Sequence, residues 1–246
     1  MVIYASKTSK ELGEQAAKLA GEILRKKIKE QGYARIILST GASQFDTIQA
    51  LINEDVDWSK VTMFHLDEYV DLPETHIASF RKYLKERFIS KVNLAAAYLV
   101  NGEGDIQANI KELTEELRKA PIDLGLIGIG QNTHIAFNDP PANFDTKEAY
   151  HVVNLDDRCK MQQVSEGWFA NIDEVPKQAI SMTAYQIMQC EYIISSVPNA
   201  EKAEAIQRTL SEDLNNMTPA TLLKTHKNFN LFIDNNSGSL AGIKSI

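Results

Sequence analysis

Cysteine is scarce in this 246-residue chain, and basic clusters, long apolar runs and flexible linkers are missing from it. The two cysteines, Cys159 and Cys190, are too few for a disulfide framework or a metal site, and free thiols suit a reduced, cytoplasmic protein. Acids outnumber bases and the net charge is −7, so no nucleic-acid-binding face is expected. The one short basic run, Arg25-Lys26-Lys27 with Lys29, falls at the end of a predicted helix, where cations complement the dipole. No apolar stretch approaches the ~20 residues of a membrane span, and the first residues lack the charged-then-apolar pattern of a secretory signal. No membrane partner is therefore expected. Without a proline-, glycine- or serine-rich tract, residues 1–246 are expected to form one domain, and 43% apolar residues supply its core.

What is present is alternation. Leu12, Ala16, Leu19, Ala20, Ile23 and Leu24 recur at helical spacing over residues 9–30, and Gly32 ends that helix. Strands are predicted at 36–38, 61–66, 98–100, 122–129, 192–197 and 229–233, and helices at 44–53, 77–88, 105–119, 178–189 and 201–211. This order predicts an α/β fold, a three-layer, doubly wound, Rossmann-like sandwich on a mainly parallel sheet. Residues 144–176 interrupt the alternation and read as a lid, which Trp168-Phe169 can anchor.

In such folds ligands bind beyond the carboxyl ends of the strands. Four strand ends carry chemistry. After 36–38 comes Ser39-Thr40-Gly41-Ala42-Ser43, with three hydroxyls and a helix start. It suits a single phosphate, and equally an ordinary N-cap turn. It lacks both the P-loop lysine and the glycines of a dinucleotide fingerprint. After 61–66 comes Asp67-Glu68-Tyr69, either a general base with a neighbour or a solvated acidic loop. After 122–129 comes Gly130-Gln131-Asn132-Thr133-His134, and then Asn138-Asp139-Pro140, which gathers an amide, an imidazole and a carboxylate behind a glycine turn. After 192–197, Lys202 falls in the first turn of a helix, where a cation opposes the dipole unless an anion lies between. A surface lysine is the alternative. No metal-ligand spacing is present, so neither a metal nor another cofactor is expected.

Taken together, these segments resemble the glucosamine-6-phosphate deaminase/isomerase family, within the sugar-phosphate isomerase and 6-phosphogluconolactonase superfamily. The resemblance runs over about residues 8–234. It is carried by Phe64-His65-Leu66-Asp67-Glu68-Tyr69-Val70-Asp71-Leu72 and by Gly128-Ile129-Gly130-Gln131-Asn132-Thr133-His134-Ile135-Ala136-Phe137-Asn138-Asp139-Pro140. Val175-Pro176-Lys177-Gln178-Ala179-Ile180-Ser181-Met182 and Asn199-Ala200-Glu201-Lys202-Ala203 support it.

The resemblance implies an enzyme whose partner is a small sugar phosphate, a monomer or small homo-oligomer. It would turn a hexosamine 6-phosphate, glucosamine 6-phosphate first, into a ketose 6-phosphate and ammonia. Asp67 matches the base that moves the C2 proton, and His134 the ring-opening acid/base, with Asn132 and Asp139 beside it. Ser39, Thr40, Gly41, Ala42, Ser43, Glu68, Gln163 and Lys202 match the substrate and phosphate contacts. The chain departs from the usual family pattern at four places. It has Asn132 for an aspartate, Thr133 for a glycine and Asp139 for a glutamate, and the phosphate-binding arginine falls at Gln162 or Gln163 with Arg158 nearby. Asn132 is expected to orient the imidazole through its carbonyl oxygen, and restoring an aspartate there to raise the rate. The wording near Leu155-Asp156-Asp157-Arg158 is closer to a galactosamine-6-phosphate branch. A lactone hydrolase and a non-catalytic sugar-phosphate binder are the other readings.

Overall fold

Helix α1 (Ser9–Gln31) starts where the Thr8 hydroxyl accepts the Glu11 amide, 3.2 Å away. It ends at Gly32, whose left-handed backbone (φ 86°) lets its amide reach the Ile28 carbonyl. Leu12, Ala16, Ala20 and Leu24 are buried on one face, as their spacing predicts. The computed structural model describes residues 1–245, apart from the side chains of Arg158 and Gln162.

Seven parallel strands form the main sheet. They are β1 (Val2–Ser6), β2 (Ala34–Leu38), β3 (Val61–His65), β5 (Ala96–Tyr98), β6 (Leu124–Leu126), β9 (Tyr192–Val197) and β10 (Phe229–Asp234), in the order β1-β10-β9-β6-β2-β3-β5. Along β2, Ile36 and Leu38 enter one apolar cluster and Ile37 the other. That alternation buries both faces of the sheet. On one side pack α1, α2 (Phe45–Leu51) and α3 (Phe80–Arg87). On the other pack α4 (Ile106–Leu117), α6 (Ala184–Ile187) and α7 (Ala203–Ser211). The fold is the expected α/β sandwich. Strand order reverses between β2 and β6, which makes their carboxyl ends the topological switch point.

A second, antiparallel sheet was not anticipated. It consists of β4 (Asp67–Tyr69), β8 (Gln178–Met182) and β7 (Tyr150–Asn154), in that order. Residues 178–189, expected to be helical, therefore form β8 followed by the short α6. Ala179, Ile180, Ser181 and Met182 are all buried between neighbours, so no alternation marks them as a strand. Asp67-Glu68-Tyr69 is likewise a short strand rather than a loop. The edge strand β1, outside the expected elements, pairs with β10 from Val2 to Ser6. The strand expected at 98–100 lies at Ala96–Tyr98. Within the expected lid, β7 belongs to the small sheet, and α5 (Asp157–Ser165) lies over the cleft mouth through Gln163.

Gly13 fixes how closely α1 meets α2. A Cβ there would sit 2.6 Å from the Asp46 carbonyl carbon and 2.8 Å from the Thr47 nitrogen. We predict that Gly13→Ala destabilises the fold by about 1–3 kcal/mol through overpacking, despite the gain of up to ~1 kcal/mol in helix propensity. Chemical denaturation checks this, and an unchanged or higher midpoint would show that the two helices separate at no cost.

Candidate active site

One cleft opens over the switch point. Its walls come from the ends of β2 (Ser39, Thr40, Gly41, Ala42, Ser43), β3 (Leu66, Asp67), β6 (Gly128, Ile129, Gly130, Gln131, His134) and β9 (Glu201, Lys202). Gln163, Glu166 and Trp168 cover it from the lid segment. All four strand ends singled out in the sequence thus converge.

Asp67 lines the cleft at 7% exposure, and no described side chain or amide donates to its carboxylate. Burial, and then the neighbouring Glu68 charge, raise its pKa to about 8. Glu68 does not join it in the cleft. Its carboxylate, fully buried, accepts the amides of Tyr69 (2.9 Å), Phe80 (3.2 Å) and Arg81 (2.8 Å), the Ser79 hydroxyl (2.8 Å) and Arg81 Nε (3.3 Å). Every lone pair is taken, so Glu68 anchors the start of α3 and is not available to a substrate.

The His134 loop is built by close approach. A Cβ on Gly130 would lie 2.2 Å from the His134 ring, so only glycine fits beneath the imidazole. Thr133 sits at φ 72°, the left-handed region in which glycine is at ease, and its buried hydroxyl has no partner among the described residues. The small sheet holds the loop from behind. Ser181 Oγ accepts the Phe137 amide at 3.0 Å, and Asn138 Nδ2 donates to the Met182 carbonyl at 2.8 Å. Asp67 pairs with the same Ser181 in register. One strand therefore sets the distance between the Asp67 carboxyl and the His134 imidazole.

Contrary to the sequence expectation, Asn132 does not orient the imidazole through its carbonyl oxygen. That oxygen accepts the His134 backbone amide at 3.2 Å, while Nδ2 donates to Asp139 Oδ1 at 2.8 Å. The carboxylate facing the ring belongs to Asp139, 3.1 Å from His134 Nδ1, although the ring N–H is not well aligned with it. Burial alone would raise the Asp139 pKa. His134, Asn132 and the Cys159 thiol together outweigh that and hold it below the ordinary carboxylate range.

The opposite end of the cleft suits an anion. The amides of Thr40, Gly41, Ala42 and Ser43 donate to no described acceptor. Lys202 is 7% exposed, forms no ion pair with a described residue, and has its pKa lowered by burial. A buried cation without a partner is costly unless a ligand supplies the charge. Gln163, also 7% exposed, turns Oε1 to the Tyr69 hydroxyl at 2.8 Å. The side chains of Gln162 and Arg158, named with it in the sequence, lie outside the described residues. Phe80, Phe137, Gln131, Glu166 and Glu201 line the cleft without having been singled out. Only Phe137, Gln131 and Glu201 lie within motifs that could have flagged them. Among the described residues, no group of three or more His, Cys, Asp or Glu side chains is placed to hold a metal.

Comparison with known proteins agrees with this geometry. The family described as glucosamine-6-phosphate isomerases/6-phosphogluconolactonase matches residues 7–232. A glucosamine-6-phosphate deaminase of Streptococcus equi subsp. zooepidemicus is 34% identical over 92% of this chain and 94% of its own. One from Oenococcus oeni is 32% identical over 87% of this chain and 90% of its own. The solved structure of a monomeric glucosamine-6-phosphate deaminase superposes with a TM-score of 0.89 at 28% identity, covering 98% of this chain and all of that one. A 6-phosphogluconolactonase from Thermotoga maritima shares the fold, with a TM-score of 0.78 at 15% identity over 95% of this chain and 99% of that one.

Thr133→Gly relieves a strained backbone of ~1–3 kcal/mol and removes an unpartnered buried hydroxyl. It also frees the unfolded chain by up to ~1 kcal/mol. The expected net result is a gain of about 1 kcal/mol, read as a higher Tm. A lower Tm would mean that the threonine methyl packs too well to lose.

Proposed function

The chain belongs to the glucosamine-6-phosphate isomerase/6-phosphogluconolactonase family, and on that premise we propose that it converts a hexosamine 6-phosphate, glucosamine 6-phosphate first, to a ketose 6-phosphate and ammonia. The observation that carries this is Asp67. It is a carboxyl with no donor among the described residues, its pKa raised to about 8, in a cleft shared with an imidazole and a buried lysine.

In this reading the phosphate lies against the 39–43 amides, Lys202 and Gln163. His134, with Asp139 beside it, moves protons between the ring and anomeric oxygens to open the sugar. Imidazole suits this because it gains and loses a proton near neutrality. Asp67 then takes the C2 proton and returns it to C1. These carbons are adjacent in the open chain, so one carboxylate reaches both. A raised pKa makes Asp67 a stronger base than an exposed aspartate. The ammonium at C2 offsets the repulsion from Glu68 and favours the ionised form. The resulting C2 imine is hydrolysed, water supplying the ketone oxygen and ammonia leaving. The lid, residues 144–176, supports exclusion of bulk water from the enolamine through α5 and Trp168.

Asp67→Asn keeps the shape and removes the base. Turnover of glucosamine 6-phosphate should fall below a few per cent of the parent while binding persists, as read by ammonia release and calorimetry. Retained turnover would remove Asp67 from the role. The parent should release ammonia from glucosamine or galactosamine 6-phosphate. Hydrolysis of 6-phosphogluconolactone alone, or binding without turnover, would overturn the proposal.

The geometry supports the opposite outcome for one sequence expectation, the effect of an aspartate at position 132. An aspartate at 132 would face Asp139 at the 2.8 Å now spanned by an N–H···O bond. Two such carboxylates share a proton, which weakens the charge held against His134. Asn132→Asp is therefore expected to lower kcat/KM, and a higher value would show that the loop rearranges around the new acid.

A further inference from the structure

Tyr69 is wholly buried on β4, two residues past Asp67, and its ring is wedged between side chains of the cleft and the lid. Ring centroids lie 5.1 Å away for Phe80, 5.4 Å for Phe137 and 5.7 Å for Phe169. Phe80 and Phe137 line the cleft, and Phe169 belongs to the lid segment. Held this way, the ring aims its hydroxyl in one direction, at Gln163 Oε1 2.8 Å away on α5. The phenol keeps its proton, because burial holds its pKa well above the ordinary value. It therefore donates. A reversed glutamine would present N–H groups to the phenol and leave the phenolic proton unpaired in a site with no water access. The amide is thus fixed with its oxygen on Tyr69, and its Nε2, which no described residue accepts from, is left for the cleft.

We propose that Tyr69 is a positioning residue that locks the Gln163 amide with its NH2 group toward the substrate's phosphate, so that a pre-oriented neutral donor on the lid complements the buried Lys202. The inference rests on the sugar-phosphate reading above and adds to it the means by which the lid recognises the phosphate. A fixed donor loses less side-chain entropy on binding than a free one. It also places a second hydrogen bond on the phosphate without adding a charge beside Glu166 and Glu201, which line the same end of the cleft.

The test is a double-mutant cycle on Tyr69→Phe and Gln163→Leu, read by calorimetry with an open-chain hexitol 6-phosphate, which binds but cannot react. Tyr69→Phe alone should weaken binding about tenfold, and in kinetics the loss should fall on KM. In the Gln163→Leu background, Tyr69→Phe should have no further effect. Equal losses in both backgrounds would mean that Tyr69 acts through packing alone, and no loss in the single variant would overturn the inference directly. If Tyr69→Phe unfolds, Gln163→Leu alone still decides, because undiminished affinity there leaves Tyr69 nothing to position. Should the parent bind no hexitol 6-phosphate, the sugar-phosphate reading fails and this inference falls with it. Should the parent bind and the cycle show no coupling, only this inference fails.

Discussion

Five donors converge on the Glu68 carboxylate, three of them backbone amides and two of those at the start of α3. These bonds hold the carboxylate in place and oppose its burial, which on balance leaves its pKa above the ordinary carboxylate value. Its neighbour Asp67 faces the other way, into the cleft, with burial on one side and the Glu68 carboxylate on the other. Much of what the site can do follows from that pair. The same bonds that start α3 set Phe80 in the cleft wall, and Arg81 extends the network to Asn101 and Glu103. Removing Glu68 would strip the anchor from a helix as well as the field from a base.

The fold makes this economical. A parallel sheet brings loops from β2, β3, β6 and β9 to one edge, and the reversal of strand order leaves a gap between them. The small antiparallel sheet packs beside these loops. Through Ser181 it ties the strand bearing Asp67 to the loop bearing His134. Asp67 and His134 are therefore mounted on paired backbone, whereas Gln163, Glu166 and Trp168 reach the cleft from the 144–176 segment.

Much of this was legible in the sequence. Amphipathic spacing placed α1, and apolar runs placed β2, β3, β9 and β10, because each buries a simple stripe or a continuous core segment. The four loaded strand ends were readable for the same reason. What resisted reading depends on partners distant in the chain. β8 has no alternating pattern because both of its faces are covered, so its apolar run passed for a helix. Glu68 looks like Asp67 in sequence, and only the fold shows that α3 consumes its lone pairs. Asn132 looked like a substitute for a carboxylate, whereas Asp139 faces the ring and Asn132 braces it. The glycine displaced by Thr133 becomes intelligible only from a φ of 72°.

The central claim is that burial first, and the neighbouring Glu68 carboxylate second, hold Asp67 as an unusually basic carboxylate. Following the Asp67 carboxyl carbon by NMR across a pH titration of the ligand-free protein tests it most directly, with Asp67→Asn identifying the resonance. The account predicts a midpoint near 8, so that Asp67 is mostly protonated at neutral pH and ionises as the pH rises through that value. A midpoint near the ordinary aspartate value of about 4 would contradict it.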